Sequence, residues 1–453
     1  MTRVLELNDV GVVLAENDHV VATSPGYALY EEGGPLLGEA ARAAARQQPL
    51  RINNLFWSEF STRPLARPIT GVRSHADLAF LHLKELVASA GPSADCTILV
   101  PAEMSLEQLG LLRAVALAAG LGRARIIDTA VAATRAVPGK GKFCHVDVEL
   151  HRATLAELRV GGTIERGRAL VVPGAGQLGF LQRWLETIAR DMVFATRFDA
   201  LAQGSTEQAL FDALPGLSAE AVVNGRAKLT AGTSDNPQSV EITREQFIAA
   251  AAGLADEIVT QLHRLRFAGE TNTIVLGARA AALPGLGERL AELPDTECYL
   301  LEATSPLAAV SGRLAPPADE SYRITALPSL AEAERATLGA TAIAAGSGAK
   351  VAPPSHLLYR GQAVALEGPS LTIGTSVAAA AARVLNVAGG TGVSRSHCTV
   401  LKQGRDFMVF DHSSYGTWLN DERVAHRARL KAGDRLRLGY PGIVLELIAI
   451  DAR

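Results

Sequence analysis

A chain of 453 residues, 48% hydrophobic and 20% charged, has ordinary globular composition and enough length for about two to four domains. Its formal charge of −3 excludes a globally basic nucleic-acid binder, and no apolar run approaches the length needed to span a membrane. Four scattered cysteines (Cys96, Cys144, Cys298 and Cys398) offer neither a disulfide framework nor a CxxC metal site, and the N-terminus lacks a basic-then-apolar signal pattern, so a reducing cytoplasm is the expected location.

Arg3–Leu7 and Val10–Glu16 read as strands around a tight turn at Asn8-Asp9. Residues 25–73 are punctuated by Pro and Gly, with one alanine-rich helix expected near Leu37–Gln47. Helix Ser74–Ala90 leads to a buried strand, Cys96–Val100. Pro101-Ala102-Glu103 then opens a helix over Leu106–Ala119, with Gly120 placed for a C-terminal cap. Arg125–Asp128 is another short strand, and the alternation of strands with helices indicates an α/β domain. Helices are expected at Phe180–Arg190, over most of 192–228, at Arg244–Leu265 as one long amphipathic stretch, and at Leu283–Leu293; residues 230–239 form a polar hairpin or loop. Ala331–Ala345 closes this domain, and the Gly- and Pro-rich stretch from Gly346 to Pro354 reads as a linker that lets the C-terminal module swing. No internal repeat is evident in the sequence.

Several of these segments, taken in order, resemble the actin-like ATPase fold in the variety found in the nucleotide-binding domain of heat-shock chaperones. They are Thr97–Ala102, Ala118–Leu121, Ile126–Ala133, Ile242–Phe247, Thr273–Arg279 and Glu334–Ala342. The resemblance spans 1–346 and implies a two-lobed α/β body, its lobe boundary near 140, that holds ATP and Mg between the lobes. Phosphate loops in such a body need glycine, because the backbone must approach the phosphates and donate N–H groups. Where the family has an Asp-Leu-Gly-Thr turn, this chain has Glu6-Leu7-Asn8-Asp9-Val10-Gly11; where it has Asp-x-Gly-Gly-Gly-Thr, this chain has Asp147-Val148-Glu149-Leu150-His151-Arg152. The connecting glutamate is Thr129, and no equivalent of the catalytic lysine is found. Asp147 and Gly277 are what remains of a vestigial nucleotide cleft, Gly277 having lost its partner glycine to Ala278. Carboxylates facing phosphates without metal or backbone donors cost binding energy, so a pseudo-ATPase without catalytic residues or an ATP/Mg cofactor is expected.

Two other patterns have plain structural readings. His145, Asp147, Glu149 and His151 alternate, which on a strand would put them on one face. They read as a polar face lining the cleft, with His151 in the hairpin turn, and no metal centre is expected. Gly174-Ala175-Gly176-Gln177-Leu178-Gly179 follows an apolar run and precedes a helix, as a dinucleotide fingerprint would, yet no second parallel strand ending in an acidic residue follows it. It reads as the opening of a helix.

The C-terminal ninety or so residues carry the most informative stretch. Ser394-Arg395-Ser396-His397 and Asp411–Asn420 place two polar turns across an antiparallel pair, the arrangement an anion-recognition surface needs. From Gly361 to Arg453 the chain has 11 Lys/Arg against 8 Asp/Glu, a mild basic excess suited to acidic or phosphorylated peptides. With Ile373-Gly374-Thr375 before them and Leu430–Gly439 (Leu-Lys-Ala-Gly-Asp-Arg-Leu-Arg-Leu-Gly) after, these motifs resemble the forkhead-associated (FHA) domain, a reader of phosphothreonine peptides. The resemblance implies an all-β sandwich over 357–453, joined by a linker at 347–356. It assigns phosphopeptide contacts to Ser394, Arg395, Ser414, Tyr415 and Thr375, and structural roles to Gly374, His397, Gly416 and Asn420. Thr375 stands where the family has its phosphate-gripping arginine, and Tyr415 where it has a peptide-contacting asparagine. The sequence therefore points to a non-enzymatic signalling or assembly scaffold whose FHA module recruits a protein partner, phosphorylated on threonine. The alternative is a chaperone-like ATPase that the FHA module regulates.

Overall fold

The computed structural model describes residues 2–69, 71–233, 236–314, 323–343, 353–377, 383–388, 391–403 and 406–450. It divides into two compact units: Met1–Val259, Thr273–Leu290 and Cys298–Ile343 make the first, and Thr260–Asn272, Ala291–Glu297 and Ala344–Arg453 the second.

The first unit is mixed α/β. One sheet runs, edge to edge, Arg123–Asp128, Asp95–Val100, Arg3–Glu6, Val12–Glu16, His19–Ser24. The first three strands in the chain form an antiparallel meander, and the other two join in parallel on the far side of Arg3–Glu6. A parallel pair needs a crossover, supplied here by helix Leu106–Ala118. Cys96–Val100 is buried throughout, as a strand covered on both faces must be. Both early helices begin at capping boxes, Ser74 with Asp77 and Ser105 with Gln108, which satisfy otherwise orphaned N–H groups.

A second sheet runs Ala326–Pro328, Thr163–Pro173, Arg152–Val160, Gly141–Val148, Asn272–Leu276, Thr296–Leu301, Ala340–Ile343. Without its two edge strands it repeats the strand order of the first sheet: an antiparallel meander of three, then two later strands beside the first of them. No repeat is legible in the sequence because strand order follows burial and connection, and these tolerate different side chains.

Three sequence expectations change. The long helix at Arg244–Leu265 is two helices, Arg244–Ala250 and Ala252–His263, broken at Ala251 (φ −108°) beside Gly253, a weak helix former. The alanine-rich helix near Leu37–Gln47 is confined to Gly38–Arg42. Past it the Arg46 N–H donates to Gln208 Oε1 (2.7 Å), and this tertiary bond outbids helix continuation. The stretch after Ala331 is a single helical turn, Glu332–Arg335, followed by strand Ala340–Ile343, which pairs with Cys298–Leu301. Of the expected linker, 347–352 lies outside the described residues.

The second unit is a β-sandwich. One sheet has the order Phe267–Ala268, Glu422–Val424, Thr417–Leu419, Arg435–Leu438, Ile443–Ile448, His356–Tyr359, Gln362–Ala365; the other runs Val384–Asn386, Ser370–Gly374, Cys398–Gln403, Asp406–Asp411, Arg427–Leu430. Alternate residues point inward, as the two-residue period of a strand requires, and Leu371, Ile373, Val400, Val409, Leu436 and Leu445 fill the space between the sheets. The edge strand Phe267–Ala268 comes from far earlier in the chain and pairs in parallel with Arg423–Val424. Just before it, Arg266 is 1% exposed and its Nε lies 3.1 Å from Glu422 Oε1, which also meets His263 Nδ1 at 2.8 Å.

Candidate functional site

In the sandwich, strand Ser370–Gly374 runs antiparallel to Cys398–Gln403 and carries Thr375 alongside residues 394 and 395. The Thr375 N–H donates to Ser394 O (3.2 Å) and the Ser376 N–H to Arg395 O (3.1 Å). This close seam requires glycine at 374, where a Cβ would collide with the Arg395 carbonyl. Thr375 is half-buried and offers only a neutral hydroxyl.

The facing turn is tied to the same loop. Ser414 N–H donates to Ser394 Oγ (3.2 Å), which leaves the Ser394 O–H as a donor to something else. His397 is fully buried between the two loops. Its Nδ1 accepts from the Ser394 N–H (3.0 Å), and this fixes the proton on Nε2, which donates to Gly416 O (2.9 Å). Burial pushes this imidazole below its ordinary pKa, in keeping with a neutral brace. Gly416 has φ +85°, and a Cβ there would meet the Trp418 ring at 3.0 Å and Arg423 Nε at 3.1 Å. Arg395, Ser414 and Tyr415 are exposed around this junction, so the structure brings the Ser394 and Ser414 loops together beside Thr375.

Asp411 holds the turn in shape from below: its Oδ1 accepts from Ser413 N (3.0 Å), Ser413 Oγ (2.7 Å) and Thr417 Oγ1 (2.8 Å). Sequence reading passed over this role, although Asp-x-Ser ahead of a glycine is the signature of such a side-chain-stabilised turn. Asn420, in left-handed backbone (φ +50°), donates to Asp434 Oδ1 (2.7 Å) and accepts from Arg435 N (2.8 Å), which sets the next hairpin.

In the first unit, the hairpin turns singled out by sequence face each other directly. Asn8 Nδ2 donates to Asp147 Oδ2 (3.2 Å) and Val148 O (3.0 Å), and Leu150 N–H donates to Asp9 Oδ1 (2.7 Å). Arg279 pairs with Glu6 (3.0 Å) and donates to Gly11 O (2.8 Å). Gly277 lies against Asp147, whose Oδ1 would be 2.7 Å from a Cβ. Thr129, buried, opens the short helix Thr129–Thr134, which Asp128 caps. Glu149 pairs with Arg152 (2.9 Å) and accepts from Thr154 Oγ1 (2.6 Å), and Arg152 also pairs with Glu103. Burial, with Glu103 nearby, holds the Glu149 carboxyl well above the usual carboxylate range, and burial likewise raises Asp9, Glu103 and Asp147. The Glu6–Arg279 and Glu103–Arg152 pairings join residues far apart in the chain and left no local signal.

The glycine run after Val172 is packed against the same turn. Gln177 N–H donates to Glu149 O (2.8 Å) and Leu178 N–H to Leu150 O (3.0 Å), while a Cβ on Gly176 would strike the backbone of 150–152. These N–H groups at the start of helix Gln177–Thr196 are therefore taken up by the protein's own carbonyls. The alternating His145, Asp147, Glu149 and His151 do not converge: His151 Nε2 sits 3.0 Å from Asn54 O, and His145 is buried with its pKa lowered to about 4 by that burial. Among the described residues no group of three His, Cys, Asp or Glu side chains could hold a metal ion, and no helix is long and apolar enough to cross a membrane. All four cysteines are buried and in no disulfide. An open cavity of about 990 Å³ elsewhere in this unit, between Tyr30, Phe60 and His75, mixes Arg63 and Arg67 with Glu59 and Glu107 on its rim and so presents no single charge to a ligand.

Comparison with known families places an FHA domain at residues 371–439. FHA domains bind phosphothreonine-containing protein partners. No curated protein matches the chain.

Proposed function

We propose that this protein is a non-enzymatic signalling or assembly scaffold, in which the FHA module recruits a threonine-phosphorylated protein and an actin-like body serves as a platform that neither binds nor hydrolyses nucleotide. The observation that carries the recruiting role is the junction of Ser394, Ser414 and His397. It leaves a hydroxyl donor facing out between two loops braced from beneath.

The actin-like reading of the body is supported by the strand order that occurs in both of its sheets. The pseudo-ATPase reading is supported by the direct bonds between the hairpin turns: Asn8 to Val148, and Leu150 to Asp9. A triphosphate would have to separate these turns and then face carboxylates instead of glycine N–H groups, at the desolvation cost of buried anions. Against this stands the reading of a working ATPase under FHA control, and the two differ in a simple measurement. A ligand at a hundred times its Kd stabilises the native state by about 2.7 kcal/mol. Millimolar Mg-ATP is expected to leave the melting temperature of the full chain unchanged, and a rise of several degrees would overturn the scaffold reading in favour of the ATPase.

A further inference from the structure

The weak point of the recognition surface is charge. A phosphate bound by Ser394, turn N–H groups and the neighbouring Arg395 would have a cation on the Ser394 side alone, and Thr375 cannot supply a second. Besides Arg395, exposed beside Ser394, several nearby cations are engaged. Arg437 stacks between the rings of Trp418 (4.7 Å) and Tyr440 (5.3 Å) and lies 4.0 Å from Asp421. Arg429 pairs with Asp406 (2.6 Å), and Arg383 is turned to Glu367 O (2.5 Å).

Arg423 differs. It is exposed and has no ion pair with any described residue. Its strand, Glu422–Val424, places it opposite Trp418, and its Nε comes within 3.1 Å of the Cβ position of Gly416. Gly416 is two residues past Ser414, whose N–H touches the Ser394 hydroxyl, so the guanidinium stands beside the turn that carries that junction. Only a glycine at 416 leaves the space through which it approaches the turn. Trp418 lies opposite it on the neighbouring strand, and Asp421, the acidic side chain at that edge, stands 4.0 Å from Arg437.

We propose that Arg423 is a second phosphate-gripping side chain of this recognition surface beside Arg395, reaching over Gly416 from the Glu422–Val424 strand to add the charge that Thr375 lacks. This inference rests on the reading that the Ser394 and Ser414 loops bind a phosphorylated threonine. A guanidinium in this place gives two parallel N–H bonds to phosphate oxygens, where a lysine gives a single point charge.

The test uses the full chain and two immobilised degenerate peptide libraries, one centred on phosphothreonine and one on threonine. The wild type is expected to retain the phosphorylated library preferentially. Arg423→Gln should cut that preference about 10- to 100-fold, Arg423→Lys should restore part of it, and Arg437→Gln, at the stacked neighbour, should leave it within about threefold. Arg423→Gln should melt within a few degrees of the wild type, and adding Thr375→Arg to it should recover binding, which separates a loss of charge from a loss of fold. If the wild type discriminates and Arg423→Gln discriminates equally, the assignment to Arg423 is wrong and phosphothreonine reading stands. If the wild type does not discriminate at all, phosphothreonine reading fails, and the role of Arg423 fails with it.

Discussion

The His397 ring makes two bonds and no contact with solvent, and both bonds are to backbone groups of loops that the recognition surface depends on. Its removal strands a buried N–H at Ser394 and a carbonyl at Gly416 and leaves a void. His397→Ala should therefore cost about 2–4 kcal/mol, and phosphopeptide retention should fall although no ligand-facing group has changed. Urea unfolding monitored by tryptophan fluorescence would check it, and a loss below about 0.5 kcal/mol would show that the loops do not need the brace. His82 offers a different residue-scale test. It is buried without charge, accepting from Trp57 Nε1 (3.0 Å), with Ser24 Oγ at 2.7 Å on its other nitrogen, and burial lowers its pKa to about 3. Its folded pKa lies below the unfolded value of about 6.5, so the unfolded chain takes the proton first. The contribution of His82 is complete above about pH 6.5 and declines towards pH 3, by about 1.4 kcal/mol per pH unit. Between pH 7 and 5 the wild type should lose stability more steeply than His82→Gln, and parallel slopes would refute the assignment.

At the scale of elements, the sandwich depends on a strand that its own sequence does not contain. Glu422 is 5% exposed and answers the charge of Arg266, while Gly269 (φ +82°) sits where any side chain would strike Arg427 O. Glu422→Gln removes the carboxylate that Arg266 Nε and His263 Nδ1 share, a change that should cost about 1–3 kcal/mol. Hydrogen exchange should speed up first in Thr417–Leu419 and Glu422–Val424, the strands nearest this edge, and uniform exchange across the sandwich would argue against a local role for the pair. Much of the element map was legible beforehand. The helices from Ser74 and from Leu106, the buried run Cys96–Val100 and the Leu430–Gly439 motif are local patterns, and local patterns are what a sequence displays. The break at Ala251 and the short helix at Gly38–Arg42 were not legible, because a neighbour distant in the chain or a marginal propensity decided each of them.

At the scale of the whole molecule, a cut at residue 357 produces a fragment that keeps the core between Leu357 and Leu447 but loses strand Phe267–Ala268 and Arg266. The fragment 357–453 should fold and yet unfold at a lower urea concentration than the sandwich in the full chain, since Glu422 loses Arg266 and His263 and an edge of backbone N–H and C=O groups is uncovered. Equal midpoints would show that the early segment adds nothing. The same contrast separates what sequence and structure each contributed. The sequence by itself determined an α/β body followed by a β-module, the two loops with Ser394 and Ser414, and turns at Asn8 and Glu149 that hold carboxylates and no glycine over 6–10 and 147–152. Each of these is written in residue type and spacing over a few positions. Only the tertiary structure decided that those two turns bond to each other, that Glu6 meets Arg279 and Glu103 meets Arg152, that residues 267–268 complete the sandwich, and that Arg423 reaches Gly416. Such pairings join positions as many as 273 residues apart, and a side chain's partner at that separation is set by how whole elements pack, for which no short stretch of sequence carries a signal.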